Sequence, residues 1–365
     1  MPNLFTPSFG KVPVIMAGRG LLIEELVDSF RNDPGDPNWT TILIGAQGSG
    51  KTTLLTYMET RVAEQGWVVV RTTATSGMLE DIYEQTLRKS AHLIDGGGDL
   101  KLSGVSIAGL GGLQFNRESR DMNWRSRMTD ILEELNSRDI GLLIEVDEVN
   151  PALPDMEELA TVYQHFVTED RRVAILMAGL PHRVSQLLNG ESVSFLRRAC
   201  QHTLGRIEDY EVAKALEETV EQAGKSFDGD AIDAAVRAID GFPYMLQLTG
   251  WRAWNEAGGA DIIDISAVER GVALAEEDLK SRVLRRTLDE ASDADLAFLN
   301  AMREDASLST IGDVRERLGQ TSGYISTYKK RLLEQGLIEE AGRGKVRFAL
   351  PLLRDYLPEY MEDAL

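Results

Sequence analysis

The residues whose types and spacing carry the most chemistry are Gly45-Ala46-Gln47-Gly48-Ser49-Gly50-Lys51-Thr52. They fit the spacing G-x-x-x-x-G-K-[ST], with a short apolar strand before them (Thr41–Ile44) and a helix-forming run from Thr53. Glycines let successive backbone N–H groups turn inward without a Cβ in the way, which makes an anion cradle at a helix N-terminus. Lys51 is placed to reach outer phosphates, and the Thr52 hydroxyl to ligate Mg2+. A glycine-rich turn that binds nothing is the plain alternative. The complete spacing, in its strand–loop–helix context, argues against it. Gly45, Ala46, Gln47, Gly48, Ser49, Gly50, Lys51, Thr52 and Thr53 are therefore the candidate phosphate-cradle residues.

A second chemical signal lies downstream, where Ile140-Gly141-Leu142-Leu143-Ile144-Glu145-Val146-Asp147-Glu148 reads as an apolar strand ending in two acids. Alone this pattern is weak. After a phosphate loop it is what a second Mg2+-site strand should look like, with Asp147 holding the metal directly or through water and Glu148 polarising an attacking water. Strand alternation puts Glu145 on the face of Asp147. A carboxylate buried there needs Lys51, a Ser/Thr hydroxyl or water, and no role is assigned to it.

The elements that must position these residues read as alternating strands and helices. An amphipathic helix (Leu21–Arg31) precedes the loop, and a strong break at Asp33-Pro34-Gly35-Asp36-Pro37 separates the two. A helix (53–65), a strand (67–71) and a helix (77–93) follow. Helices at 123–136 and 155–168 flank the acid-pair strand, with further strands at 172–177 and ending at 203–204. Apolar strands separated by helices predict a parallel α/β sheet buried on both faces. Residues 95–115 carry glycines around short apolar stretches, which fits either two short strands about a glycine turn or a surface loop. From Gly205 the pattern is purely helical (208–223, 230–239, 243–256, 266–288). Ser292 with Asp295 caps a helix over 294–303, and Thr310 with Asp313 caps one over 311–318. A third helix (323–335) and a hairpin about Gly342-Arg343-Gly344 complete a winged helix-turn-helix. The predicted units are 1–204, 205–290 and 291–365.

Composition bounds the partners. The formal charge of −20 does not draw the molecule as a whole to nucleic acid or anionic membrane, so such binding would need a local patch. One cysteine, Cys200, excludes an internal disulfide framework and predicts a reducing, cytoplasmic setting. The four histidines show no metal-ligand spacing. Residues 1–11 do not read as a secretory signal, and no run has the length of a membrane span.

From Ala17-Gly18-Arg19 through the phosphate loop and acid pair to the wing, the chain resembles AAA+-like and STAND-like P-loop ATPases with a helical lid and a C-terminal winged helix, such as replication-initiator (origin-recognition) ATPases. The resemblance implies a bacterial ATP-binding protein of that kind, with ATP/ADP and Mg2+ as cofactors and ATP hydrolysis that is slow or assembly-dependent. It implies that Gly18 and Arg19 lie near the adenine, and that strand 172–177 sits between the phosphate-loop strand and the acid-pair strand. The polar sensor usual at the end of that strand is replaced by Ala178-Gly179. Gly241-Phe242-Pro243 is similar to the STAND G-x-P motif, where the proline (here Pro243) approaches the nucleotide. This favours a switch over a ring motor. Arg197 and Arg198 occupy the region of an arginine finger, which would act on a neighbouring subunit in a homo-oligomer; a solvated salt bridge is the alternative.

For the third winged helix, placing Ile325, Tyr328 and Leu332 on the core side sends Thr327, Lys330, Arg331 and Glu334 outward. Six basic residues against three acidic ones lie in 321–348. With Arg343 and Lys345 on the wing, Thr327, Lys330 and Arg331 form a candidate duplex-DNA footprint. Winged helices also dock proteins. Two function classes therefore stand: an ATP switch that orients a DNA-binding winged helix, and a signalling ATPase whose winged helix and 95–115 segment bind a protein partner.

Overall fold

The computed structural model describes residues 2–8, 10–31, 35–94, 101–102, 105–106, 123–190 and 193–363. Helix α1 (Gly20–Ser29) and a 3-10 turn (Pro37–Trp39) lead into β1 (Thr40–Ile44), followed by α2 (Lys51–Ala63), β2 (Val68–Thr73) and α3 (Met78–Ile94). A small antiparallel pair, β3 (Lys101–Leu102) and β4 (Val105–Ser106), comes next. The rest of the glycine-rich 95–115 stretch lies outside the described residues. Then come α4 (Trp124–Asn136), β5 (Leu142–Asp147), α5 (Pro154–Thr168), β6 (Val173–Gly179), α6 (Pro181–Asn189), a 3-10 turn (Ser194–Arg198) and β7 (Cys200–Thr203).

These strands form one five-stranded sheet in the order β2-β5-β6-β1-β7, every pairing parallel. Every residue of β5 and of β6 is buried, which is why both read as apolar runs without alternation. Strand β6 lies between β1 and β5, as the resemblance implied. On one face, α2 packs Leu54, Leu55 and Met58 against Val69, Leu143 and Leu176; on the other, α4 and α5 bury Met128, Ile131 and Phe166 with Ile144 and Ile175.

The helical layer comprises α7 (Asp209–Glu221), β8 (Ser226–Phe227), α8 (Gly229–Ile239), α9 (Pro243–Ala257), β9 (Ile262–Ile263) and α10 (Ile265–Leu279). The predicted helix over 266–288 runs on past α10 as a π-helical turn (Lys280–Leu284) and α11 (Arg285–Asp289). The winged helix follows: α12 (Asp293–Met302), β10 (Ser309–Thr310), α13 (Ile311–Leu318), α14 (Ser322–Gln335), β11 (Ile338–Glu340), β12 (Lys345–Phe348) and α15 (Leu353–Asp363). Ser292 and Asp295 make both bonds of a capping box, and Thr310 accepts the Asp313 N–H. Several short elements were not predicted, among them α6, the β8–β9 pair and α15. Helix α6 is short, the β8–β9 pair has two residues per strand, and α15 contains Pro358, which breaks the local helical signal.

One apolar core runs through the helical layer and the winged helix without a break, from Ile207 through Leu284 and Leu288 to Phe298, Leu332 and Tyr360. Phe5 joins it from the start of the chain. Its ring lies where a side chain at Gly250 would be, and Asn3 and Thr6 bond to the Trp251 carbonyl (3.1 Å) and to Gln247 (2.9 Å). Phe5→Ala should therefore destabilise the helical layer by about 3 kcal/mol, the usual cost of emptying a buried phenylalanine site. Urea unfolding followed by tryptophan fluorescence, with Trp251 and Trp254 in α9, is the measurement.

Candidate phosphate-binding site

Strand β1 delivers the loop, and its neighbours fix where the loop begins. Gly45 N–H donates to Gly179 O on the β6 side (3.3 Å), and Ile44 O accepts Leu204 N–H on the β7 side (2.6 Å). Gly48 (φ +76°) and Gly50 (φ +91°) occupy left-handed backbone, which a Cβ would penalise. Lys51 opens α2 and is buried. Its Nζ donates to the carbonyls of Gly45 and Ala46, both at 2.8 Å. Burial pulls this ammonium down to about 8, against the opposing pull of Asp147 and Glu148. A phosphate in the loop would supply the negative charge that two neutral carbonyls do not.

Next to Lys51, Thr52 Oγ1 donates to Asp147 Oδ2 at 2.6 Å, joining the start of α2 to the end of β5. The other Asp147 oxygen accepts Glu148 N–H (2.9 Å). Glu148 sits at φ +54°, a left-handed conformation costing a non-glycine residue about 1–2 kcal/mol. It is held there from both sides, by its own N–H on Asp147 and by Val149 N–H on Ala178 O (2.9 Å). The side chain is exposed beside a cavity of about 430 Å³ lined by Thr52, Arg71, Thr72, Thr73, Asp81, Asp147 and Glu148. Among the described residues, no cluster of three His, Cys, Asp or Glu side chains could bind a metal alone. The pairing of Thr52 with Asp147 instead fits Mg2+, which takes one or two protein oxygens and fills the remainder from phosphate and water.

Arg71 and Asp81 were not singled out in the sequence. Arg71 donates to Thr56 Oγ1 (2.5 Å), lies 3.9 Å from Glu59, and stands in register with Glu145 on β5. Glu145 is fully buried, and neither carboxylate oxygen has a hydrogen-bond partner among the described residues. Of the partners expected for it, Lys51 donates instead to the Gly45 and Ala46 carbonyls, and no Ser or Thr hydroxyl among the described residues reaches it. The charged groups around it are Glu59, Arg71, Lys89 and Asp147, and burial raises its carboxyl well above the ordinary carboxylate range.

Of the other predicted residues, Gly18 packs against Ile207, and Arg19 donates to Gly205 O (2.5 Å), so both sit where the sheet passes to the helical layer. Burial lowers the Arg19 guanidinium from its usual value while Glu211 opposes the shift. The end of β6 carries no polar sensor for a steric reason: a Cβ on Gly179 would overlap the Val149 side chain. Pro243 opens α9, but the lid side chain brought onto the phosphate loop is Phe242, one residue earlier. Arg197 and Arg198 are exposed on the 3-10 turn before β7. Arg197 donates to Leu188 O (2.7 Å), and Arg198 makes no polar contact with the described residues.

In α14, Ile325 and Leu332 are buried, and Thr327, Lys330 and Arg331 are exposed as predicted. Glu334 is only half-exposed. It accepts Gln186 Nε2 from α6 (2.9 Å), because the C-terminal end of α14 rests on that helix, with Leu180 near Gly336. Much of the basic face is paired: Lys329 with Glu340 (2.6 Å), Lys330 loosely with Glu334 (3.8 Å), Arg331 with buried Asp295 (3.1 Å) and Arg347 with Glu339 (2.5 Å). On the wing, Arg343 and Lys345 are exposed and have no acidic partner among the described residues.

A parallel sheet with β6 inserted between the phosphate-loop and acid-pair strands, a helical lid and a winged helix define the fold of the AAA+ P-loop ATPases. Solved structures agree with it. The Walker-type ATPase PABY2304 of Pyrococcus abyssi matches with TM-score 0.68 at 15% identity, over 94% of this chain and 96% of that one. The ORC2 protein of Aeropyrum pernix, in its ADPNP–ADP complexes, matches at TM-score 0.52 and 16% identity (98% and 96% covered). Cdc6p from Pyrobaculum aerophilum matches at 0.51 and 16% (99% and 98%). Residues 281–357 match a family described as a domain of unknown function, DUF8462. No curated protein matches the chain in sequence.

Removing the buried ammonium tests the cradle. Lys51→Ala should weaken binding of a fluorescent ATP analogue by about 10- to 100-fold, the value of one or two charged hydrogen bonds to phosphate. Unchanged affinity would exclude this loop as the site.

Proposed function

We propose that this chain is an ATP-binding, Mg2+-dependent and slowly hydrolysing switch, in which nucleotide state sets how the winged helix sits on the α/β unit. The observation that carries the reading is the Thr52–Asp147 hydrogen bond, which brings the two Mg2+-ligand candidates together beside Lys51. Gly45 to Thr53 would cradle the phosphates, with Gly18, Arg19 and Pro243 toward the base. Glu148 would polarise the attacking water. The continuous core from lid to wing supports treating 205–290 and 291–365 as units that move together, with the first residues of the chain around Phe5 packed on them, against the α/β sheet unit. The α6–α14 contact gives that motion something to make or break.

The exposed Arg198, with Arg197 beside it, supports a finger acting on a second copy of the chain. No described helix is long and apolar enough to cross a membrane. A cytoplasmic setting rests on the single Cys200.

Duplex DNA is the partner proposed for the winged helix, through Thr327, Lys330, Arg331, Arg343 and Lys345. The protein-partner reading is kept because one end of α14 is already engaged by α6 and four cations of α14 and the wing are internally paired.

Glu148→Gln should retain ATP binding and lower turnover by about 100-fold or more, the usual contribution of a general base. Turnover at the wild-type rate would remove Glu148 from the mechanism. For DNA, three phosphate contacts predict a log–log salt slope of about −2.7. It should flatten when Lys330, Arg343 and Lys345 are changed to Glu, as measured by fluorescence anisotropy of a labelled duplex. Absence of duplex binding at low salt, with ATP and with ADP, would leave the protein-partner reading.

A further inference from the structure

The contact between the helical layer and the phosphate loop is made by an aromatic ring. Phe242 is buried in the lid core, and the end of its ring faces Gly48. A Cβ at Gly48 would lie 2.6 Å from Phe242 Cζ and 3.1 Å from Cε1. Gly48 is thus bare for two independent reasons: its left-handed φ of +76° and the ring above it.

The ring is aimed by a turn with little freedom. Helix α8 ends in two successive left-handed residues, Asp240 (φ +49°) and Gly241 (φ +65°). A side chain at Gly241 would overlap the Ile207 carbonyl, and Ile207 N–H donates back to Gly241 O at 2.8 Å. Asp240 pairs with Arg206, and Phe242 N–H donates to Ile239 O (3.0 Å). Arg206 and Ile207 directly follow Leu204 and Gly205, and Leu204 is bonded to the strand that ends in the phosphate loop. The turn and the loop are therefore tied to the same piece of backbone.

We propose that Phe242 is a positioning residue for the nucleotide: it braces Gly48 so that the loop keeps its anion-ready conformation, and it carries occupancy of the loop to the lid in the absence of a polar sensor at Gly179. The inference rests on the nucleotide-binding reading above. An apolar ring adds no charge to a phosphate, so it acts through loop conformation. Its contribution falls equally on bound substrate and transition state, so its loss raises KM and leaves kcat unchanged.

The experiment compares Phe242→Ala, Phe242→Tyr and Lys51→Ala by ATP and ADP titration, steady-state ATPase assay and thermal melting. Phe242→Ala removes the brace. Phe242→Tyr keeps the lid core filled but adds an oxygen at the ring atom nearest Gly48. Both should raise the Kd for ATP and for ADP by about fivefold or more, with KM rising in step and kcat within about twofold of wild type. The tyrosine protein should melt close to the wild type, so it carries the test even if the alanine protein does not fold. A Phe242→Tyr protein that binds ATP within about twofold of wild type, while Lys51→Ala loses binding, overturns the brace and leaves the nucleotide reading standing. Binding unaffected by Lys51→Ala overturns both.

Discussion

The hydrogen bond from Thr52 to Asp147 joins the start of a helix to the end of a strand that is not its neighbour. Strand β6 lies between β1 and β5, so the two ends are about 10 Å apart in the sheet at the usual strand spacing. The loop after β1 must therefore arch across the end of β6 to bring α2 over Asp147. That constraint explains why β6 ends in Ala178-Gly179. Gly179 O receives the loop's first N–H, and the space beyond it is filled by Val149, which also helps hold Glu148 in its left-handed conformation. A polar sensor at this point would displace Val149 and loosen the acid pair.

The face of the sheet that carries Asp147 also carries an unusual concentration of charge. Arg71, Glu145, Glu59 and Lys89 lie behind the metal-ligand candidates, linked by the Lys89–Glu59 pair (2.9 Å) and the Arg71–Thr56 hydrogen bond. Within this group Glu145 is fully buried without a hydrogen-bond partner among the described residues, and burial pushes its carboxyl well above the ordinary carboxylate range.

The helical layer and winged helix share one core, joined by the helix that runs from α10 through its π-helical turn into α11. Two packed layers with a common core transmit displacement better than domains on a flexible linker. Against the sheet this body is held at Phe242 on the phosphate loop, at Glu334 on α6, and at Arg19 on Gly205. Each of these contacts involves only one or two side chains.

The glycine spacing of 45–52, the acid pair at 147–148, the change from α/β to all-helical pattern near 205 and the caps at Ser292 and Thr310 are readable in sequence because each depends on residues a few positions apart. Local periodicity and short-range hydrogen bonding set them, and together they were sufficient for the fold class. What tertiary structure alone decided depends on contacts across long stretches of chain. Thr52 and Asp147 are 95 residues apart, and Gln186 and Glu334 are 148 apart. No local pattern marks Phe242 over Pro243 as the residue that reaches Gly48, or shows that Glu334 meets Gln186 of α6 and Glu145 is left without a partner. Helical spacing gives the direction in which a side chain leaves its own element. What it meets there is fixed only when the sheet order and the lid bring another element against it.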